Sequence, residues 1–195
     1  MSAYAAIVLA AGGARRFGAD KLLRLYRGRP IVAYAIGAAR AAPVENVVVV
    51  KRPGDLLDEA CRAAADENTI LIDAENEALS ASLRAGLEAA RFEKGAFVFL
   101  GDMPLVPHGL ARQLAARIGD GFAAVPSVEG RPGHPVLLSA RAAEAAKGQE
   151  GDHGAGALLR AHASDVVQVE TCEPGAVFDV DTQADYETLS GGADH

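Results

Sequence analysis

The chain has 195 residues, half of them hydrophobic and 23% charged, and 26 Asp and Glu against 19 Lys and Arg leave a formal charge of −7. That is the composition of a globular domain and not of a disordered chain, and an acidic chain with 5% aromatics and no Trp lacks the basic footprint of a nucleic-acid binder. The longest apolar stretches, Ala3–Ala11 and Val47–Val50, fall far short of the ~18 residues that span a bilayer, and no Lys or Arg precedes the first to make it a signal-peptide core.

In chain order, Ala3–Ala11 is an apolar run closed by Gly12–Gly13, the pattern of a buried parallel strand. Leu22–Tyr26 reads as a short extended piece turning at Arg27–Arg29, and Pro30 suits the first turn of a helix through Arg40. Val47–Lys51 is β-branched and lies between Pro43 and Pro53, so it reads as a strand. Asp55–Ala65 is expected to be helical, Thr69–Asp73 a strand, Ser80–Ala90 a helix and Ala96–Leu100 a fourth strand, with Pro107 opening a helix through Ile118. Beyond this the pattern loosens: Ala123–Ser127 and Pro135–Leu138 read as strands around the loop Val128–His134. Gly151–His162 starts with glycines and becomes helical, Val166–Val169 is extended, and Asp181–Leu189 is a last helix capped by Asp181 or Thr182.

Such alternation predicts a single-domain α/β fold, Rossmann-like, with a mostly parallel sheet flanked by helices. The domain is expected over residues 1–190, with a disordered tail over 191–195. Cys61 and Cys172 belong to no CxxC or Cys/His cluster, which points to reduced, structural thiols in a cytoplasmic protein.

In a sheet of this kind ligands sit outside the carboxyl ends of the strands, so the loop after the first strand is the first candidate site. Leu9, Ala10, Ala11, Gly12 and Gly13 let the backbone approach a ligand, Arg16 can fork two bonds to phosphate, and Lys21 adds a compact charge. The dinucleotide pattern G-x-G-x-x-G is absent, and Ala19 stands where a P-loop spaced from Gly13 and Gly18 needs its lysine. Asp102 follows the fourth strand in Gly101-Asp102-Met103-Pro104, and a carboxylate at that end of a strand suits Mg²⁺, which keeps waters and substrate phosphates. As an alternative, Asp102 is a turn residue.

Leu9-Ala10-Ala11-Gly12, followed by Arg16-Phe17-Gly18 and Lys21, resembles the signature loop of the MobA-like nucleotidyltransferases. The branch it resembles most is the molybdenum cofactor cytidylyltransferases, which transfer CMP from CTP onto molybdopterin. The resemblance implies that the loop backbone holds the nucleotide, that Arg16 and Lys21 hold the triphosphate and are catalytic with Asp102, and that Asp102 binds the metal. Phe178-Asp179-Val180-Asp181-Thr182 is similar to the family's late motif, which implies a second metal carboxylate at Asp181 and, more weakly, a role for Asp179. Gln183 and Ala184 depart from that motif's Pro and Glu. Asp181 as a helix cap is the bland reading.

Leu79-Ser80-Ala81-Ser82-Leu83 is similar to the serine-rich stretch near the base in the cytidylyl branch, which implies nucleotide contacts from Ser80 and Ser82; Ser80 as an N-cap is the alternative. Arg131-Pro132-Gly133-His134-Pro135 resembles the family's loop beside the acceptor, which implies acceptor binding by Gly133, His134 and Pro135. Gly151-Asp152-His153-Gly154-Ala155-Gly156-Ala157-Leu158-Leu159 resembles a further acceptor segment, with His153 in place of Lys and Gly156 in place of Arg. Arg160 is the nearest candidate to compensate.

These readings converge on a nucleotidyltransferase of molybdenum cofactor biosynthesis that uses Mg²⁺ and CTP, with a molybdoenzyme or its chaperone as recipient and with no nucleic acid or membrane as partner. Guanylyl transfer, transfer to a sugar phosphate, and a non-catalytic cofactor-handover protein stay open as alternatives.

Overall fold

The strands and helices follow from two periodicities, two in the strands and 3.6 in the helices. A computed structural model describes residues 4–12, 21–74, 78–149 and 155–191. In chain order the elements are β1 (Tyr4–Ala10), β2 (Leu25–Tyr26), β3 (Arg29–Pro30), α1 (Ile31–Arg40), β4 (Asn46–Lys51), α2 (Asp55–Ala64), β5 (Thr69–Asp73) and α3 (Leu79–Ala89). They continue with β6 (Gly95–Leu100), α4 (Leu110–Arg117), β7 (Ala123–Val128), β8 (Arg131–Pro132), β9 (Val136–Ser139), α5 (Ala140–Lys147), α6 (Gly156–Ala161), β10 (Val166–Glu170) and α7 (Gln183–Gly191). Single 3-10 turns cover Lys21–Leu23, Ala163–Asp165 and Pro174–Ala176.

Among the described residues, one eight-stranded sheet runs in the order β10-β7-β9-β6-β1-β4-β5, with β8 paired to β7 and β2-β3 forming a separate hairpin. β1 is parallel to both β4 and β6, β4 to β5, and β7 to β10; β9 lies antiparallel between β6 and β7. The carboxyl ends of β1, β4, β6 and β7 therefore share one edge. The chain steps outward from β1 to β4 and β5, then returns to place β6 on the other side of β1. This switch point opens a crevice between the ends of β1 and β6.

Alternate residues of the central strands face opposite layers. Ala6, Val8, Val47, Val49, Phe97 and Phe99 pack on one side with buried residues of α1, α2 and α4. Ile7, Leu9, Val48, Val50 and Val98 pack on the other with residues of α3, α5 and α6. Burial on both faces is why these strands read as continuous apolar runs. In α2 the spacing Leu57, Cys61, Ala64 brings one stripe inward, so Cys61 is a core residue, whereas Cys172 is exposed.

Several expected boundaries move. Pro30 precedes α1 as its N-cap and pairs with Leu25, instead of forming the first helical turn. Pro107 only starts a turn, its carbonyl accepting from the Leu110 amide, so α4 begins later than expected. The loop expected over Val128–His134 contains a hairpin: Glu129 and Gly130 both have positive φ, 51° and 78°, and return the chain as β8. α5 was absent from the sequence reading. Its buried side is only Ala142, Ala143 and Ala146, small side chains that mark no large apolar stripe, although Ser139 caps it by accepting from the Ala142 amide.

α3 lies close to the sheet because Gly86 faces it: a Cβ there would stand 2.5 Å from Ile7 Cγ2 and 3.0 Å from Val50 Cγ2. Gly86→Val overpacks this contact and is expected to cost about 1–3 kcal/mol, read as a lower urea midpoint at unchanged slope. An unchanged midpoint would mean that the layer has room to spare.

Candidate active site

The crevice between β1 and β6 is built by close backbone contact. The Gly101 amide donates to the Leu9 carbonyl at 2.9 Å, and a Cβ at Gly101 would lie 3.1 Å from that oxygen and 3.2 Å from Ala10 Cβ. The absence of a side chain at Gly101 thus draws the ends of the two strands together and sets Asp102 beside Leu9–Gly12. The late segment is fastened to the same point: the Val180 amide donates to the Asp102 carbonyl at 3.0 Å, placing Asp179 and Asp181 on either side of that bond. Gly175 fits against the Leu105 carbonyl and Gly133 against the Ala176 carbonyl, where a Cβ would stand 2.0 and 2.1 Å away. The three segments that carry the predicted carboxylates and the histidine loop are therefore locked in register by their glycines.

At the centre lies Lys21, at the start of the 3-10 turn. Its Nζ donates to Asp102 Oδ2 and to Asp181 Oδ1, both at 2.7 Å. Burial works against the Lys21 charge, but the two carboxylates outweigh it and hold the ammonium above its ordinary range. The hydrogen bond from Lys21 holds Asp181 below the usual carboxylate range. Asp179 is pushed upward, first by burial and then by the charges of Asp181 and Asp102.

Around this cluster a cleft of about 290 Å³ is lined by Leu9, Ala10, Ala11 and Gly12, with Lys21, Leu22, Leu79, Ser82, Leu100 and the three aspartates Asp102, Asp179 and Asp181. Of the two predicted serines, Ser82 lines it one helical turn from Leu79. Ser80, as deeply buried as Ser82, is not among the residues that line it. Nor does Ser80 cap α3, whose N-cap is Ala78. Gly13, Arg16 and His153 lie outside the described residues.

Asp181 does not cap α7. Thr182 does so: its Oγ1 accepts from the Asp185 amide, while Asp185 Oδ2 accepts from the amides of Thr182 and Asp181 in a capping box. With the cap supplied by its neighbour, the Asp181 side chain turns to Lys21. Asp179, for which the resemblance implies a weaker role, lines the cleft together with Asp102 and Asp181. One feature escaped the sequence reading: Arg52 at the end of β4 donates to the Gly12 carbonyl at 3.1 Å, tying down the start of the first loop. Arg52 had no visible motif, because its partner is a backbone atom 40 positions away.

The donor set suits a hard divalent cation. Among the described residues Asp102 Oδ1 is buried with no hydrogen-bond partner, and Asp102 and Asp181 share one ammonium while Asp179 stands beside them. Among the described residues, no group of three or more His, Cys, Asp or Glu is arranged to hold a metal by itself. Two carboxylates plus phosphate oxygens and water are nevertheless a normal set for Mg²⁺.

Residues 6–166 match the MobA-like NTP transferase domain. The chain belongs to the MobA-like NTP transferase family. It is 32% identical over 146 residues to a probable molybdenum cofactor guanylyltransferase of Haloferax mediterranei, covering 73% of this chain and 68% of that protein. It is 35% identical over 133 residues to the bifunctional protein GlmU of Acidiphilium cryptum, where the match covers 67% of this chain but spans only 29% of the relative's length. Among solved structures, Rv0371c of Mycobacterium tuberculosis superposes with a TM-score of 0.82 at 26% identity, over 97% of this chain and 98% of that one. That mycobacterial protein has also been solved as a complex with manganese, and divalent metal use in the family agrees with the carboxylates here.

In this family frame the Gly133-His134-Pro135 loop lies on the same sheet edge as the cleft. The His134 ring does not stand free: its Nδ1 is 3.3 Å from the Val98 carbonyl oxygen, and its amide donates to Ala176. Burial holds its pKa below the usual 6.5, against the opposing pull of Val98 and Asp102. A histidine kept neutral in the fold but free to charge when unfolded removes stability as pH falls below about 6.5, and restores it above. His134→Gln is expected to flatten this acid limb in denaturation curves collected between about pH 5 and 7. An unchanged limb would assign the acid sensitivity to the aspartates instead.

Proposed function

We propose that this transferase moves CMP from CTP onto the terminal phosphate of molybdopterin and releases pyrophosphate. The observation that carries a transfer reaction is the Lys21–Asp102–Asp181 cluster beside the Leu9–Gly12 loop. The serine-rich start of α3, which brings Ser82 to the cleft, and the histidine loop support the cytidylyl branch. The relative named a probable molybdenum cofactor guanylyltransferase supports the acceptor and favours a second reading with GTP.

In this mechanism an oxygen of the acceptor phosphate attacks the α-phosphorus in line, the bond to the β-phosphate bridging oxygen breaks, and that oxygen leaves with pyrophosphate. The attacking oxygen is already ionised, so the chain needs no strong base; its work is positioning and charge neutralisation. The backbone of Leu9–Gly12 lies where it can approach the nucleotide closely, and Arg16 is assigned to the triphosphate. Lys21 keeps Asp102 and Asp181 from repelling one another and leaves one cation within the cleft. A divalent cation, Mg²⁺ in our reading, would be held by Asp102 and Asp181 and would offset charge on the phosphate oxygens. The product passes to a molybdoenzyme or its chaperone.

Asp102→Ala is expected to abolish pyrophosphate release, by more than about a hundredfold, with an unaltered circular dichroism spectrum. Transfer at the parental rate would remove Asp102 from the site. A panel of CTP, GTP, ATP and UTP, each with Mg²⁺ and molybdopterin, is expected to give release with CTP; release with GTP alone would keep the mechanism and change the base.

A further inference from the structure

β4 ends in two successive cations, and the alternation of the strand sends them to opposite layers. Val47 and Val49 pack with α2, and Val48 and Val50 with α3. Lys51 continues the first set, and Arg52 leaves the strand on the other side. Lys51 is 4% exposed, a depth at which a lysine needs carboxylate partners. Its Nζ donates to Asp73, its neighbour in register on β5, and lies 3.2 Å from Asp58 Oδ1 of α2. The Lys51 carbonyl accepts from the Ala74 amide at 2.7 Å. One buried ammonium thus pins β4, β5 and α2 together, and it fixes the backbone from which Arg52 starts.

From that anchor Arg52 reaches the first loop, where its Nη1 donates to the Gly12 carbonyl at 3.1 Å. Gly12 lines the cleft and Arg52 does not, so the guanidinium holds the loop from outside. No protein contact accounts for a glycine at 12: its backbone is not left-handed, and among the described residues a Cβ there would have nothing within 4 Å. Close approach of a ligand to the backbone does account for it. A carbonyl oxygen is the negative end of its dipole, and one turned toward a triphosphate would repel the phosphate oxygens. Bonded to a guanidinium, the Gly12 carbonyl is committed to Arg52 instead, and the strand end enters the cleft in one orientation.

Resting on the transfer reading above, we propose that Arg52 is a positioning residue for the nucleotide: through the Gly12 carbonyl it sets the backbone that receives the triphosphate, with Lys51 as its buried anchor. Arg52 acts on the main chain and not on a nucleobase, so its contribution is the same for every triphosphate that the protein binds. A lysine at 52 can donate one bond to the same carbonyl, whereas an alanine cannot.

The test compares the full chain with Arg52→Ala and Arg52→Lys in two measurements. In hydrogen exchange without ligand, Arg52→Ala is expected to speed exchange about threefold or more in the peptide that carries Ala11 and Gly12, as loss of a local anchor does. Exchange over α2 and β5 and the thermal midpoint should stay level, because the buried ion cluster is intact. In equilibrium binding of CTP, GTP, ATP and UTP, each with Mg²⁺, Arg52→Ala is expected to weaken every triphosphate that the parent binds about five- to tenfold, the loss of one charge-assisted hydrogen bond. Arg52→Lys is expected to recover most of both effects. Unchanged exchange at Gly12, or faster exchange with unchanged triphosphate affinity, overturns the assignment. So does a lower thermal midpoint with faster exchange over α2 and β5, which would make Arg52 a general structural tie. A parent that binds none of the four triphosphates removes the transfer reading and this assignment with it; parent binding that Arg52→Ala leaves intact removes this assignment alone.

Discussion

The ammonium of Lys21 holds together residues 81 and 160 positions away in the chain. Asp102 and Asp181 converge on the same crevice, and without a cation between them they would face each other as like charges in partly buried surroundings, where repulsion is far stronger than in water. The arrangement of the late segment over the end of β6 depends on that cation as much as on the backbone bond from Val180 to Asp102. Removing the ammonium leaves two neighbouring carboxylates unbalanced, so their approach to one another in the cleft depends on Lys21.

The same electrostatics explain how an acidic chain can serve anionic substrates. The net charge of −7 belongs to the chain as a whole, whereas a ligand in the cleft meets a local balance set by three carboxylates and one lysine. A cluster with more carboxylates than cations draws in a divalent cation, and the cation in turn tolerates phosphate. Burial and the charges of Asp181 and Asp102 push the Asp179 pKa upward, the mark of carboxylates crowded together.

Much of the fold was legible in the residues because the signals were local. The valine run of β4, bounded by prolines, and Thr69–Asp73 of β5 come out within a residue of their expected ends. β1 and β6 are closed by glycines that also let their ends meet. Where the signal was weak, the reading failed: the buried side of α5 is built only from Ala142, Ala143 and Ala146, and Pro30 can serve a cap or a first turn equally well by its own geometry. At the site, Lys21, Asp102 and Asp181 were named from sequence, but the partnership of Lys21 with both aspartates was not. It depends on a meeting of loops from opposite ends of the chain. The resemblance named both Ser80 and Ser82, and that Ser82 is the one lining the cleft depends on the phase of α3 against the sheet.

What the sequence determined by itself was the order and type of most elements, the parallel sheet with helices on both faces, and the residue types gathered at the strand ends. These follow from periodicity, turn chemistry and the rule that crevices form at carboxyl ends, all of which act over a few residues or over the topology as a whole. The tertiary structure alone decided which carboxylate meets the lysine, that Thr182 takes the cap and frees Asp181, and that Arg52 reaches the Gly12 carbonyl. Each of those depends on a distance of a few ångströms between segments far apart in the chain, and hydrogen bonds and ion pairs are made or lost over that distance.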